Sequence, residues 1–116
     1  MDTMKVTGEL PENYFEIVEN LRTGVVLLDS NDDYYYINIS ARDILGTTNI
    51  LKKLYNLDYV DINLQTYIDG VKNTNTPVTL RDLKFKNFDK VEKICDCSIS
   101  TFMSYDQQYT LLEFNE

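Results

Sequence analysis

The chain has 116 residues, 43% of them apolar and 26% charged, with nineteen acidic residues against eleven basic ones and no histidine. That length and composition fit one globular domain with one core. A net charge of −8 repels phosphate backbones and anionic lipid, so nucleic acid and membrane surfaces are excluded as partners. The missing histidine excludes Ser-His-Asp catalysis, histidine ligation of haem or zinc, and a phospho-accepting histidine. Met1 to Met4 lacks the basic start and apolar core of a signal peptide, and no apolar run is long enough to span a bilayer. A cytoplasmic location is therefore the expectation.

Residues 1–10 show no periodicity and read as a flexible leader, leaving 11–116 as a single domain. Pro11 and Glu12 suit a first helical turn, and Tyr14, Ile17, Val18 and Leu21 follow at i, i+3, i+4, i+7, with Phe15 widening the stripe. Gly24 is expected to close this helix. Its apolar face either packs on the domain's own sheet or meets a second subunit, and both readings stand.

Val25 to Leu28 is a continuous apolar run, the mark of a covered strand. Asp29 ends it, and Ser30-Asn31-Asp32-Asp33 supplies turn formers. Asp29, Asp32 and Asp33 could together hold a cation, but side chains bonding their own turn explain them more simply. Tyr34 to Ile39 reads as a strand with Tyr34 and Tyr36 on one face and Tyr35 on the other. Their rings serve either a ligand cavity or sheet packing. Asn38 stands where an N-cap belongs, ahead of Ala41, Ile44 and Leu45 at helical spacing.

Ile50, Leu51, Leu54 and Tyr55 form a short helical stripe after the break at Gly46. Leu64, Tyr67, Ile68 and Val71 predict a longer helix, capped by Asp61 or Asn63 and weakened by Gly70. The remainder is strand. Val78 to Phe88 slips out of alternation near Arg81-Asp82. Val91, Lys93, Cys95, Cys97 and Ile99 share one parity, and Gln108 to Phe114 ends the sheet. Cys95 and Cys97 would point the same way from one strand, which is poor disulfide geometry, so they read as buried apolar side chains. No metal site and no catalytic constellation is visible.

The order of elements, with Val25-Val26-Leu27-Leu28-Asp29, then Tyr36-Ile37-Asn38, then Ala41 to Gly46, resembles a PAS domain. Three further features look like the N-terminal sensor domain of nitrogen-regulation (NtrB-type) histidine kinases. They are the helix running into the first strand through Asn20 to Gly24, the alternating Cys95 to Ser100, and the closing Leu111-Leu112-Glu113-Phe114. Ile39 and Thr101-Phe102 stand where such domains often carry prolines. The resemblance implies an α+β PAS fold, a five-stranded antiparallel sheet with helices on one face and an N-terminal flanking helix. It implies a non-catalytic sensory module that controls a two-component histidine kinase. Its implied partners are a second copy, the kinase helices of the same protein and a PII-type signal protein. Tyr14, Phe15, Ile17, Val18 and Leu21 would form the dimer interface, and Asp29 and Asn38 the structural motif. A metabolite-binding sensor in another signalling protein or transcriptional regulator is the second reading, with Tyr36, Tyr67, Cys97 and Ile99 lining its cavity. Haem and flavin are disfavoured, the first by the lack of histidine and the second by the surroundings of Cys95 and Cys97.

Overall fold

A computed structural model describes residues 14–46, 58–59 and 62–116, with side chains placed for 16–46 and 62–116. The expected leader, the stripe from Ile50 to Tyr55 and the capping role of Asp61 lie outside the described residues. Among the described residues the elements run α1 (Tyr14–Val18), β1 (Gly24–Leu28), β2 (Tyr34–Ile37), α2 (Ile39–Leu45), β3 (Asp58–Tyr59), α3 (Leu64–Thr74), β4 (Val78–Lys86), β5 (Glu92–Ser104) and β6 (Gln107–Asn115). The strands form one antiparallel sheet in the order β2-β1-β6-β5-β4-β3, five of them substantial and β3 a two-residue edge. The expected α+β architecture is the one observed.

Alternation explains which face is covered. Val26, Leu28, Leu83, Phe85, Cys95, Cys97, Ile99, Leu112 and Phe114 all join one core, roofed by Ala41, Ile44 and Leu45 of α2 and Leu64, Ile68 and Val71 of α3. The α3 residues recur at i, i+4, i+7, so one stripe of that helix is buried and the rest faces water. Asn63 caps its start by accepting from the Gln65 amide at 3.1 Å. Asn75 ends it in the left-handed region at φ 56°, with its N–H on the Val71 carbonyl.

Two register breaks shape the sheet. In β4 the register shifts between Leu80 and Leu83, where Asp82 adopts φ 52°. Both leucines turn inward as a result, and Arg81 and Asp82 point out. Asp96 across on β5 holds the bulge, accepting from the Asp82 amide and the Arg81 guanidinium at 3.0 Å each. Those two donors, the amide first, keep its carboxyl below the usual carboxylate range.

The second break corrects the tyrosine reading. The register shifts between Leu27 and Leu28, so Tyr36 stands opposite Leu27 while Tyr34 stands opposite Leu28. Tyr34 therefore packs on the core and Tyr36 does not, instead of sharing a face. Burial pushes the Tyr34 hydroxyl's pKa up. The β5–β6 connection is a two-residue turn with Tyr105 at φ 49° and Asp106 at φ 64°, the type I′ geometry that matches strand twist.

Cys95 and Cys97 are free and buried in the core. Burial pushes the Cys95 thiol up to about 11, with Glu116 adding to the effect, and raises Cys97 as well. The folded thiols thus keep their protons at a pH where an unfolded chain, with thiols near 9, loses them. Stability is full below pH 9 and declines as pH rises toward 11, by at most about 1.4 kcal/mol per pH unit for each thiol. Urea unfolding followed between pH 8 and 11 should show that decline, and it should shrink in Cys95→Ala. Thiol reagents are expected to react with both cysteines at the rate of unfolding.

Candidate functional site

The segment joining α1 to β1 is held down by a single side chain. Asn38 follows β2 directly, is fully buried and caps α2 from extended backbone at φ −82°, ψ 176°. Its amide oxygen accepts from the Ala41 amide at 2.9 Å and the Val25 amide at 2.8 Å. Its amide nitrogen donates to the carbonyls of Val18 at 2.8 Å and Thr23 at 2.9 Å. Two donors and two acceptor bonds use the whole capacity of the side chain. One residue thus joins the end of α1, the start of β1 and the first turn of α2.

Further contacts surround this latch. The Ile39 amide donates to the Glu19 carbonyl at 3.3 Å, and the Ser40 hydroxyl donates to the Leu21 carbonyl. The Glu19 carboxylate accepts from the Tyr36 hydroxyl and from Arg42 at 3.4 Å. Thr23 donates to the Asn115 side chain at 2.8 Å, tying the same segment to the end of β6.

Gly24 does not close α1, as its spacing predicts. The helix ends at Val18, and Gly24 is the buried first residue of β1. Its requirement is space. A Cβ there would lie 3.0 Å from the Ala41 Cα and 3.2 Å from the Ala41 nitrogen, so glycine lets α2 rest directly on the strand.

The residues expected at a dimer interface divide. Ile17 and Leu21 are 56% and 43% exposed, whereas Val18 is 7% exposed and belongs to the chain's own packing. Val18 is thus removed from the expected surface, because its place on the helix turns it inward where Asn38 grips its carbonyl. The side chains of Tyr14 and Phe15 lie outside the described ones. Ile39, next to the Glu19 backbone, adds an exposed apolar side chain to this region.

The four residues expected to line a cavity are not brought together. Cys97 and Ile99 are sealed in the packed core, Tyr36 bonds Glu19 away from it, and Tyr67 lies on the more exposed side of α3. Tyr67 does line an open groove of about 510 Å³ with Ile62 and residues 79–84 around the β4 bulge. The Tyr34 hydroxyl is buried without a hydrogen-bond partner among the described residues. Asp29 serves its own turn, accepting from the amides of Asn31 at 2.9 Å and Asp33 at 3.0 Å. Asp32 instead pairs with Lys72 of α3 at 3.0 Å. Among the described residues no three His, Cys, Asp or Glu side chains converge as a metal site requires, and no helix is long and apolar enough to cross a membrane.

No protein-family model matches the chain, and neither does any curated protein. Solved structures do. The PAS domain of nitrogen regulation protein NR(II) from Vibrio parahaemolyticus superposes with a TM-score of 0.70 at 20% identity, over 87% of this chain and 94% of that one. A PAS domain of an HTR-like protein from Haloarcula marismortui gives 0.69 at 13% identity, over 85% and 84% of the two chains. A PAS domain from a two-component sensor histidine kinase gives 0.67 at 12% identity, over 87% and 90%. At such identities the likeness establishes the fold, which is that of a PAS domain.

Proposed function

We propose that this chain, which has the PAS fold, is a non-catalytic cytoplasmic regulatory module that self-associates through its leading helix and controls an attached histidine kinase. The observation that carries this reading is the division of labour along residues 17–25. Asn38 fixes the backbone of the segment from Val18 to Val25, while Ile17 and Leu21 remain open to water. Exposed aliphatic side chains on a rigidly held backbone make a recognition surface whose ordering cost is already met. On this reading a shift of α1 breaks the bond from Asn38 to the Val18 carbonyl, so movement of the helix and release of the latch go together. Two of the similar structures come from a nitrogen regulation protein and a sensor histidine kinase, which supports the kinase reading. The second copy and the kinase helices are the partners this surface suits, and a PII-type signal protein is a third candidate.

Light scattering on the eluting protein tests the association. The wild type should elute as a dimer at high concentration. Leu21→Asp, which sets a charge in the proposed apolar contact, should weaken that dimer at least a hundredfold while leaving the unfolding midpoint unchanged at concentrations where both proteins are monomeric. A wild type that stays monomeric at millimolar concentration overturns the reading.

A metabolite-binding role has its own support in the unpartnered Tyr34 hydroxyl and in the groove beside Tyr67. A metabolite at 100 times its dissociation constant adds about 2.7 kcal/mol of stability. Thermal-shift screening of cell metabolites against wild type and Tyr34→Phe distinguishes this role, since a ligand using the hydroxyl loses its effect in the variant.

A further inference from the structure

Strand β4 has a free edge. It pairs with β5 on both sides of its bulge, but on its other side β3 reaches only Phe85 and Lys86 among the described residues. Val78 to Lys84 therefore turn alternate backbone N–H and C=O groups to an unpaired side, over roughly 23 Å of strand. The groove of about 510 Å³ lies along this edge, with Ile62 and Tyr67 as its wall on the helix side. The same flank of α3 continues through Gly70 and Thr74, opposite Lys72, which reaches away to Asp32. A Cβ at Gly70 would meet nothing within 4 Å, so the space beside this flank is open.

The two sides of this edge differ in chemistry. Leu80 and Leu83 turn under α3, whereas Thr79, Arg81 and Lys84 lie on the opposite face of the sheet. Arg81 shares its charge with Asp96, and Lys84 makes no ion pair among the described residues. Asp82 is the one carboxylate lining the groove among them. Residues 81–93 carry five cations against three carboxylates, so this corner is basic in a chain of net charge −8. Screening over about 8–10 Å leaves the distant carboxylates little influence here. A strand added to the edge alternates as β4 does. Its inward side chains meet Ile62 and Tyr67, which favour apolar residues, and its outward ones lie beside Lys84, which favours carboxylates. We propose that the free edge of β4 takes up an extended segment of a partner protein in which apolar and acidic residues alternate. Main-chain hydrogen bonds supply the affinity, and Lys84 selects the sequence. A second copy pairing edge to edge does not match, because the sheet's other edge, β2, runs from Tyr34 to Ile37 without a carboxylate. The proposal stands apart from self-association through α1.

Fluorescence anisotropy with labelled octapeptides tests this on the full chain at low salt. A peptide of alternating valine and glutamate should bind about tenfold tighter than one of alternating valine and lysine, and Lys84→Glu should reverse that order. In an added strand only alternate N–H groups face β4. Methylating the backbone nitrogens of one alternate set in the valine-glutamate peptide should therefore weaken binding about tenfold or more, and methylating the other set should leave it nearly unchanged. Equal loss from both sets, or loss from neither, overturns strand addition. Equal binding of the two unmethylated peptides overturns the acidic partner. Release of the light-scattering dimer in step with peptide binding puts a second copy on this edge and overturns the proposal too. A monomeric wild type that still binds the valine-glutamate peptide overturns only the self-association reading.

Discussion

Asn38→Ala is expected to lower the unfolding free energy by on the order of 4 kcal/mol, the largest effect of any single polar substitution among the described residues. The loss has separable parts. The Ala41 amide loses its cap, at about 1 kcal/mol. The Val25 amide, at the start of a strand buried throughout, is left without its short bond, and an unsatisfied buried donor costs about 1–3 kcal/mol. The Val18 and Thr23 carbonyls lose their donors together. Urea unfolding measures the total. Asn38→Asp makes a sharper probe, because it keeps the shape but turns an oxygen toward those two carbonyls. The penalty of Asn38→Asp relative to wild type should ease as pH falls and the buried carboxyl takes up a proton. A loss below about 1 kcal/mol for Asn38→Ala would mean that the segment is held by other contacts.

Gly24→Val should cost about 2–3 kcal/mol, by overpacking. A Cβ at this position meets the Ala41 Cα at 3.0 Å, the Ala41 nitrogen at 3.2 Å and the Ile44 Cδ1 at 3.2 Å. Two of these are backbone atoms of α2, and α2 is pinned by its Asn38 cap, so no rotamer change gives relief. Gly70→Ala is the matching control. A Cβ there meets nothing within 4 Å, and the residue lies inside α3, so alanine should raise stability by about 0.5–1 kcal/mol. Opposite shifts in melting temperature for the two substitutions would show that close approach, not glycine itself, is what Gly24 supplies.

The sheet and its helices were legible because local signals agreed with one another. The stripe Leu64, Ile68, Val71, the parity of Cys95, Cys97 and Ile99, and the irregularity at Arg81-Asp82 all reappear in the structure. The site was less legible, for physical reasons. Asn38 is readable as a cap from its place before Ala41. Its grip on Val18 and Thr23 joins residues 20 and 15 positions apart, and no local pattern encodes that. Glu19 carries no signal either, because an acidic residue after a short helix is ordinary. Its role arises only when the β2 register turns Tyr36 toward it. That register break also defeated strict alternation, separating Tyr34 from Tyr36 and turning Tyr36 away from the core face that Cys97 and Ile99 occupy. Gly24 did carry a hint. A glycine immediately before a buried strand marks a close backbone approach as readily as a helix end.

On the reading proposed above, residues 16–23 form a unit held to the sheet by the Asn38 latch and able to release without the sheet unfolding. Native-state hydrogen exchange on the full chain tests it directly, comparing wild type with Arg42→Ala and Ser40→Ala, which trim the edges of the latch but spare Asn38. The latch account predicts that the Val25 and Ala41 amides, both bonded to Asn38, open at lower free energy than the amides of β5 and β6, and that the two variants lower that opening further while β5 and β6 keep their protection. Opening of Val25 and Ala41 only together with global unfolding, unchanged in both variants, would contradict it.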